Sequence, residues 1–244
     1  MAVNCIARVP DIDSRIYRPL DNIKDLKFKI NANHIIDLIS SKASTQKIKN
    51  LEITSYRYDG TKGISVKGIE NVSQPIRNKV EELFLSKSNI VWGVDLKQWL
   101  SAHKFVKEEN GWFTFVDDSG MLDAMKIKIK FQHKKLQIVE KRPTGTLKAT
   151  YKFQSKKWSK NLLVLNSVKR EIYEGIQSII IENKIEYKEH GKLGWLPSRV
   201  TAKTVQRVVS GSTKKVQRMM EEEFIFFDYK VNQSFAKNWF SQRN

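Results

Sequence analysis

Apolar and polar residues alternate with period 2 over much of the chain from Met125 to Tyr187. Met125, Ile127, Ile129 and Phe131 alternate with Lys126, Lys128 and Lys130. Successive side chains of a strand point to opposite faces, so this segment predicts a strand with one dry face and one lysine face. Leu136 and Ile138 follow a polar turn at His133-Lys134-Lys135. Leu147, Ala149, Tyr151 and Phe153 then alternate with Lys148, Thr150 and Lys152. Ile179, Ile181, Ile185 and Tyr187 do the same against Ile180, Glu182, Lys184 and Glu186, with Asn183 as the one polar residue of that inward set. The stretch predicts a run of antiparallel strands whose dry face needs a cover.

Before this run the pattern is mixed. Residues 1–22 predict an extended lead-in, because Pro10 and Pro19 oppose helix. Leu26, Phe28 and Ile30 alternate with Lys27 and Lys29 as a strand. Asn33 can cap a short, buried helix from His34 to Ser41. Strands over Ile48–Tyr58 and Gly63–Ile69 are joined by the hairpin signal Asp59-Gly60. Ser73-Gln74-Pro75 starts a helix with Ile76, Val80, Leu83 and Phe84 on one side. A second helix is expected from Asp95 to His103, with Asn89–Val94 as a connection between the two. Gly111 to Val116 reads as a strand ended by Asp117-Asp118-Ser119-Gly120. Trp195 opens a strand running to about Val208, Ser210-Gly211-Ser212 turns it, and Val216 to Val231 is the last strand. Phe224 to Phe227 are apolar on both faces, which predicts burial on both, and Trp239 and Phe240 dock the tail.

The sum is about ten or eleven strands, mostly joined by short turns, with two or three short helices before residue 105. The expected fold class is mainly β: a half-open antiparallel β-barrel with the helices as a lid or plug. Residues 23–244 are expected to form one domain behind the lead-in.

Composition changes this picture in one respect. The 244 residues carry a net charge of +18, which favours an anionic partner such as nucleic acid, lipid headgroups or an acidic protein. The lysines recognised above sit at alternate strand positions, a spread and solvated face rather than a focused nucleic-acid footprint. Trp112, Phe113 and Phe115 are the candidate stacking platform for bases, against the simpler reading of core packing. The single cysteine, Cys5, cannot form an intramolecular disulfide, and is either an incidental thiol or a site of lipidation. No apolar run reaches the ~18–20 residues of a membrane helix. Met1 to Arg8 is too short for the apolar core of a signal peptide, so the chain is expected to be cytosolic or a mature form.

Catalytic signatures are lacking. His34, His103, His133 and His190 pair with no nucleophile motif, and no Gly-rich phosphate loop occurs. The acidic turn at 117–120 lacks the further oxygen ligands of a metal loop, and no Cys/His set has zinc spacing. No cofactor, metal or catalytic residue is therefore assigned, and the chain is read as a non-enzyme.

Two C-terminal segments carry a family resemblance. Trp195-Leu196-Pro197-Ser198, followed by Phe227-Asp228-Tyr229, Asn232 and Phe240, resembles the outer-membrane lipoprotein-sorting proteins of the LolA/LolB-like superfamily. The segment YRPLDNIKDLKFKI near the start looks like that family's first strand. The resemblance implies a half-open antiparallel barrel with a helical lid over an apolar cavity for acyl chains of lipids or lipoproteins. It implies a periplasmic or outer-membrane-associated binder, with anionic headgroups or a membrane surface as further partners and nucleic acid disfavoured. The lining would be Ile127, Ile129, Phe131, Leu147, Tyr151 and Trp112; the lid would carry Leu83, Phe84, Trp92 and Trp99. Such carriers use an inward arginine as a latch. No residue here matches it one to one, Arg57 and Arg77 being the candidates. Two other classes remain open beside this reading: a basic nucleic-acid-binding module, and a structural or interaction protein with a filled interior.

Overall fold

Hairpins of alternating residues build the sheet. In the computed structural model Asp59 and Gly60 both take positive φ, 46° and 85°, and turn β2 (Glu52–Tyr58) into β3 (Thr61–Lys67). His133 and Lys134 do the same, at 50° and 59°, between β6 (Lys126–Gln132) and β7 (Lys135–Arg142). The structure describes residues 14–20, 23–32, 35–36, 51–92, 96, 100, 103–117, 126–210 and 213–242.

The remaining strands are β1 (Asp25–Asn31), β4 (His103–Glu109), β5 (Trp112–Asp117), β8 (Gly145–Ser155), β9 (Leu163–Glu174), β10 (Gln177–Glu189), β11 (Trp195–Ser210) and β12 (Thr213–Val231). They form one twelve-stranded sheet in the order β3-β2-β1-β12-β11-β10-β9-β8-β7-β6-β5-β4, whose ends do not pair. The chain is mainly β, with an antiparallel sheet that stays open and two helices, α1 (Gln74–Trp92) and α2 (Phe235–Ser241), among the described residues. This is the expected fold class, with more strands than expected. His103, expected to end a helix, begins β4, and β9 had no counterpart in the sequence pattern. The helix begun at Gln74 continues unbroken to Trp92, into the expected connection. Of the two other expected helices, Ile35, Ile36, Leu96 and Leu100 are described and helical. Cys5, Trp99 and residues 118–120 of the expected acidic turn lie outside the described residues.

The described residues fall into two compact units. The first comprises those of Met1–Tyr17, Asp95–Ile185 and Ala202–Glu221; the second comprises those of Arg18–Val94, Glu186–Thr201 and Glu222–Asn244.

In the second unit, Leu26, Phe28, Ile30, Ile53, Phe224 and Phe226 are buried as a common core. Helix α1 buries Val80, Phe84, Lys87, Ser88 and Val91, a stripe at helical spacing, with Phe84 edge-on to Phe224 at 6.2 Å. The smaller helix α2 is held by a distant residue. Asp25, 5 % exposed, accepts hydrogen bonds from the backbone N–H of Ala236 (3.4 Å) and Lys237 (2.9 Å), and its own carbonyl accepts from Asn232 at 2.8 Å. Trp239 on α2 stacks on Tyr56 at 4.6 Å, with an interplanar angle of 9°. A Cβ on Gly63 would stand 2.4 Å from the Trp239 ring, so only glycine admits the indole there.

The two segments behind the family resemblance meet in this unit. The Tyr229 hydroxyl donates to the carbonyl of Pro197 at 2.5 Å, and the Ser198 hydroxyl to that of Glu186 at 3.3 Å. A β-bulge precedes Tyr229: the register steps two residues on β1 (Lys27 to Lys29) but three on β12 (Lys230 to Phe227), and Asp228 takes φ 53°. The expectation that β12 is buried on both faces fails here. Phe224 and Phe226 are buried, but Ile225 is 37 % and Phe227 42 % exposed. The Phe224/Phe226 face meets α1 and the core; the other face of β12 carries Phe227, with Lys29 of β1 opposite it.

Candidate functional site

The first unit presents a dry face whose cover is incomplete on one side. Cross-strand pairing places three rows of residues on it. One row runs Phe113, Ile129, Ile138, Ala149, Arg170, Ile181. The next runs Phe115, Ile127, Glu140, Leu147, Ile172, Ile179. The third runs Phe131, Leu136, Tyr151, Val168, Asn183. Burial falls along these rows. Ile127, Ile129, Leu136 and Ile138 on β6 and β7 are fully buried, whereas Leu147, Tyr151, Ile172, Ile179 and Ile181 on β8 to β10 are half-buried. A half-buried apolar strip of Leu147, Tyr151, Ile172, Ile179 and Ile181 therefore lies on β8, β9 and β10, beside the buried Ala149, Val168 and Asn183.

Charged residues interrupt this face at two places. Glu140, 4 % exposed, accepts a 2.5 Å hydrogen bond from Arg142 Nε, and this bond raises the Arg142 pKa further above its ordinary value. Arg170 stands between Ala149 and Ile181 and is half-buried. Among the described residues its guanidinium makes no ion pair or hydrogen bond.

The opposite face is the lysine face. Lys126 and Lys128 are exposed. Lys148 lies over the Tyr173 ring at 5.3 Å, and Lys169 pairs with Glu171 at 2.9 Å. Burial and the neighbouring Glu171 carboxylate raise the Tyr173 pKa.

The expected lining residues divide accordingly. Ile127, Ile129, Phe131, Leu147 and Tyr151 share the dry face, the first two wholly buried and the other three half-buried. Trp112 is on the other side: Phe113 pairs with Ile129 and Thr114 with Lys128, which turns Trp112 to the lysine face, where Lys130 Nζ lies 5.9 Å from its ring centroid. Trp112 thus departs from the expected lining, for a simple reason. Strand β5 is aromatic on both faces, so its pattern does not distinguish them. The same register separates Trp112 from Phe113 and Phe115, so the three form no single stacking platform.

The expected lid residues belong to a different unit. Leu83 is half-buried and Phe84 fully buried on α1, within the core of the second unit. Trp92 ends α1 with its side chain outside the described set, as is Trp99. Of the candidate latch arginines, Arg57 donates to the carbonyls of Leu20 (2.5 Å) and Ile23 (2.8 Å) and so ties the lead-in to β2. Arg77 lies on α1.

Sequence reasoning missed Arg170, because an inward charge breaks the alternation by which a strand is recognised. It also missed Lys87, which is buried on α1 with Nζ 4.7 Å from the Phe224 ring centroid. The second unit holds a cavity of about 200 Å³ bordered by Phe227, Lys29 and Glu52, with the last two ion-paired at 3.3 Å. Among the described residues, no group of three or more His, Cys, Asp and Glu could hold a metal, and no helix is long and apolar enough to cross a membrane. Comparison of the chain with family models, with curated proteins and with solved structures finds no match.

Proposed function

We propose that the protein is a non-enzymatic binder of lipid or of acylated protein, working at the periplasm or the periplasmic face of an outer membrane. It holds acyl chains against the strip formed by Leu147, Tyr151, Ile172, Ile179 and Ile181. The observation that carries this reading is the uneven burial of one face: Ile127, Ile129, Leu136 and Ile138 on β6 and β7 are closed, whereas Leu147, Tyr151, Ile172, Ile179 and Ile181 on β8 to β10 are half-buried. An acyl chain laid on the half-buried part gains about 0.8 kcal/mol per buried methylene. The lysine face supplies attraction to anionic headgroups, an ordinary use of a +18 charge. The resemblance of the C-terminal motifs to lipoprotein-sorting proteins supports the same class.

Adjacent residues on β10 provide the test. Ile179 is on the dry face and Ile180 on the lysine face, opposite Glu171. A fluorescent fatty-acyl probe should bind the protein and be displaced by phospholipid or acylated peptide. Ile179→Glu should abolish binding, because a carboxylate in the strip must be desolvated or draw in water. Ile180→Glu should leave it intact. Equal effects of the two changes, or no binding by the unaltered protein, would refute the reading.

A further inference from the structure

Resting on the acyl-binding reading, we infer that Arg170 is the headgroup anchor of that strip and that the ligand is a long-chain carboxylate. The pairing register puts one guanidinium in the middle of an apolar row, with Ala149 on one side and Ile181 on the other, and Val168 and Ile172 before and after it on β9. The guanidinium is half-buried and still meets water, and an anion that displaces that water gains a charge-assisted hydrogen bond. Among the described residues Arg170 has no partner. The carboxylate nearest in the rows, Glu140, is already engaged by Arg142 at 2.5 Å, and Glu174 is four positions along β9, at its exposed end.

The chemistry narrows the ligand. A guanidinium presents a planar fork of N–H donors that matches a carboxylate with two parallel hydrogen bonds. Rows β8 to β10 place no lysine on the dry face, so Arg170 is the one cation of those rows; Arg15 lies farther along the face, 6.0 Å from the Phe131 ring centroid on β6. A monoanion neutralises Arg170, whereas a phosphate monoester would leave excess negative charge against isoleucines. Leu147, Tyr151, Ile172 and Ile179 extend the apolar strip beside the guanidinium, where the chain attached to the carboxylate would lie.

The test is titration of the purified full chain with palmitate, hexadecanol and hexadecyl phosphate, for the unaltered protein and for Arg170→Met and Arg170→Lys. Methionine keeps the aliphatic stem and removes the charge, which the fold tolerates on a dry face. Palmitate should bind about tenfold or more tighter than the alcohol, the value of a charge-assisted hydrogen bond. Arg170→Met should erase that difference while hexadecanol binding persists, and Arg170→Lys should restore part of it. Equal binding of acid and alcohol by the unaltered protein overturns the anchor and leaves the acyl site standing. A preference for the acid that survives Arg170→Met overturns it as well. Arg170-dependent binding tighter for the phosphate than for the carboxylate overturns the assigned headgroup. Failure of all three ligands to bind overturns both the anchor and the acyl-binding reading.

Discussion

Burial gives single residues different consequences from those their chemistry suggests in isolation. His190 lies edge-on to Tyr229, with ring centroids 4.8 Å apart, and its Nε2 is buried with no hydrogen-bond partner. Burial first, and the charge of Lys188 second, lower its pKa from the ordinary 6.5. The folded state thus prefers the neutral ring, while the unfolded chain takes up a proton near the ordinary value. Stability from this group is complete above about pH 6.5, declines as pH falls below that, and levels off beneath the lowered folded-state value. Urea unfolding of the unaltered protein and of His190→Phe, at pH 7.5 and 5.5, should show a smaller loss on acidification in the variant. An equal loss in both would mean that His190 titrates freely in the fold. Tyr229, packed beneath it, has its pKa raised well above 10 by burial and then by Tyr187. Its hydroxyl therefore stays protonated and keeps donating to Pro197.

Elements are joined by residues far away in the chain. Helix α2 has only seven residues, too short to be stable alone, and Ser234 at its start makes no side-chain cap. Asp25, at the other end of the chain, caps it instead. A carboxylate at that end also opposes the positive end of the helix dipole. Asp25→Ala should cost about 1–2 kcal/mol in urea unfolding, the usual value of a lost helix cap, with the Trp239 emission shifting as the indole leaves Tyr56. Asp25→Asn should recover part of this, since its amide oxygen still accepts. If alanine unfolds no earlier than asparagine, α2 is held by Trp239 packing rather than by the cap. Bulges shape the strands in the same long-range way. Val106 is the extra residue where β4 steps past β5, between Phe105 and Lys107, and is 52 % exposed.

For the molecule as a whole, the placement of charge matters more than its sum. The chain carries a net +18, and the lysines of β6, β7 and β8 sit at strand positions that alternate with the dry rows. Exposed charges of this sort are individually worth under about 1 kcal/mol to stability, so they can serve solubility and surface attraction without holding the fold. Replacing Lys126, Lys128 and Lys130 together with glutamine should change unfolding free energy by no more than about 1 kcal/mol each way. Lys130 is the partial exception, because its ammonium donates to the Asn110 carbonyl at 3.1 Å. Loss of folding in the triple variant, seen as a collapsed denaturation midpoint, would mean that the two faces of the sheet are exchanged. Retained folding with weaker attachment to anionic vesicles would place the lysine face at the membrane surface.

The antiparallel, mainly β class and the two faces of β6, β7, β8 and β10 were legible from residues alone. There Ile127/Lys128 or Ile181/Glu182 present opposite hydropathies at adjacent positions, and period 2 converts that contrast directly into direction. The Asp59-Gly60 turn was legible for a similarly local reason, since positive φ is needed in sequence neighbours. Where contrast vanishes the reading stops. Trp112 and Phe113 are both aromatic, and only pairing with β6 sends one to the lysines and the other to Ile129. Strand β9 escaped notice because Arg170 faces inward and Tyr173 outward, the reverse of what hydropathy suggests. Ile225 and Phe227 look as buried as Phe224 and Phe226 until α1 is known to lie on one side only. The half-buried strip and the arginine within it belong to this second kind. They arise from residues on separate strands brought level by hydrogen-bond register, and no local periodicity encodes which strand lies beside which.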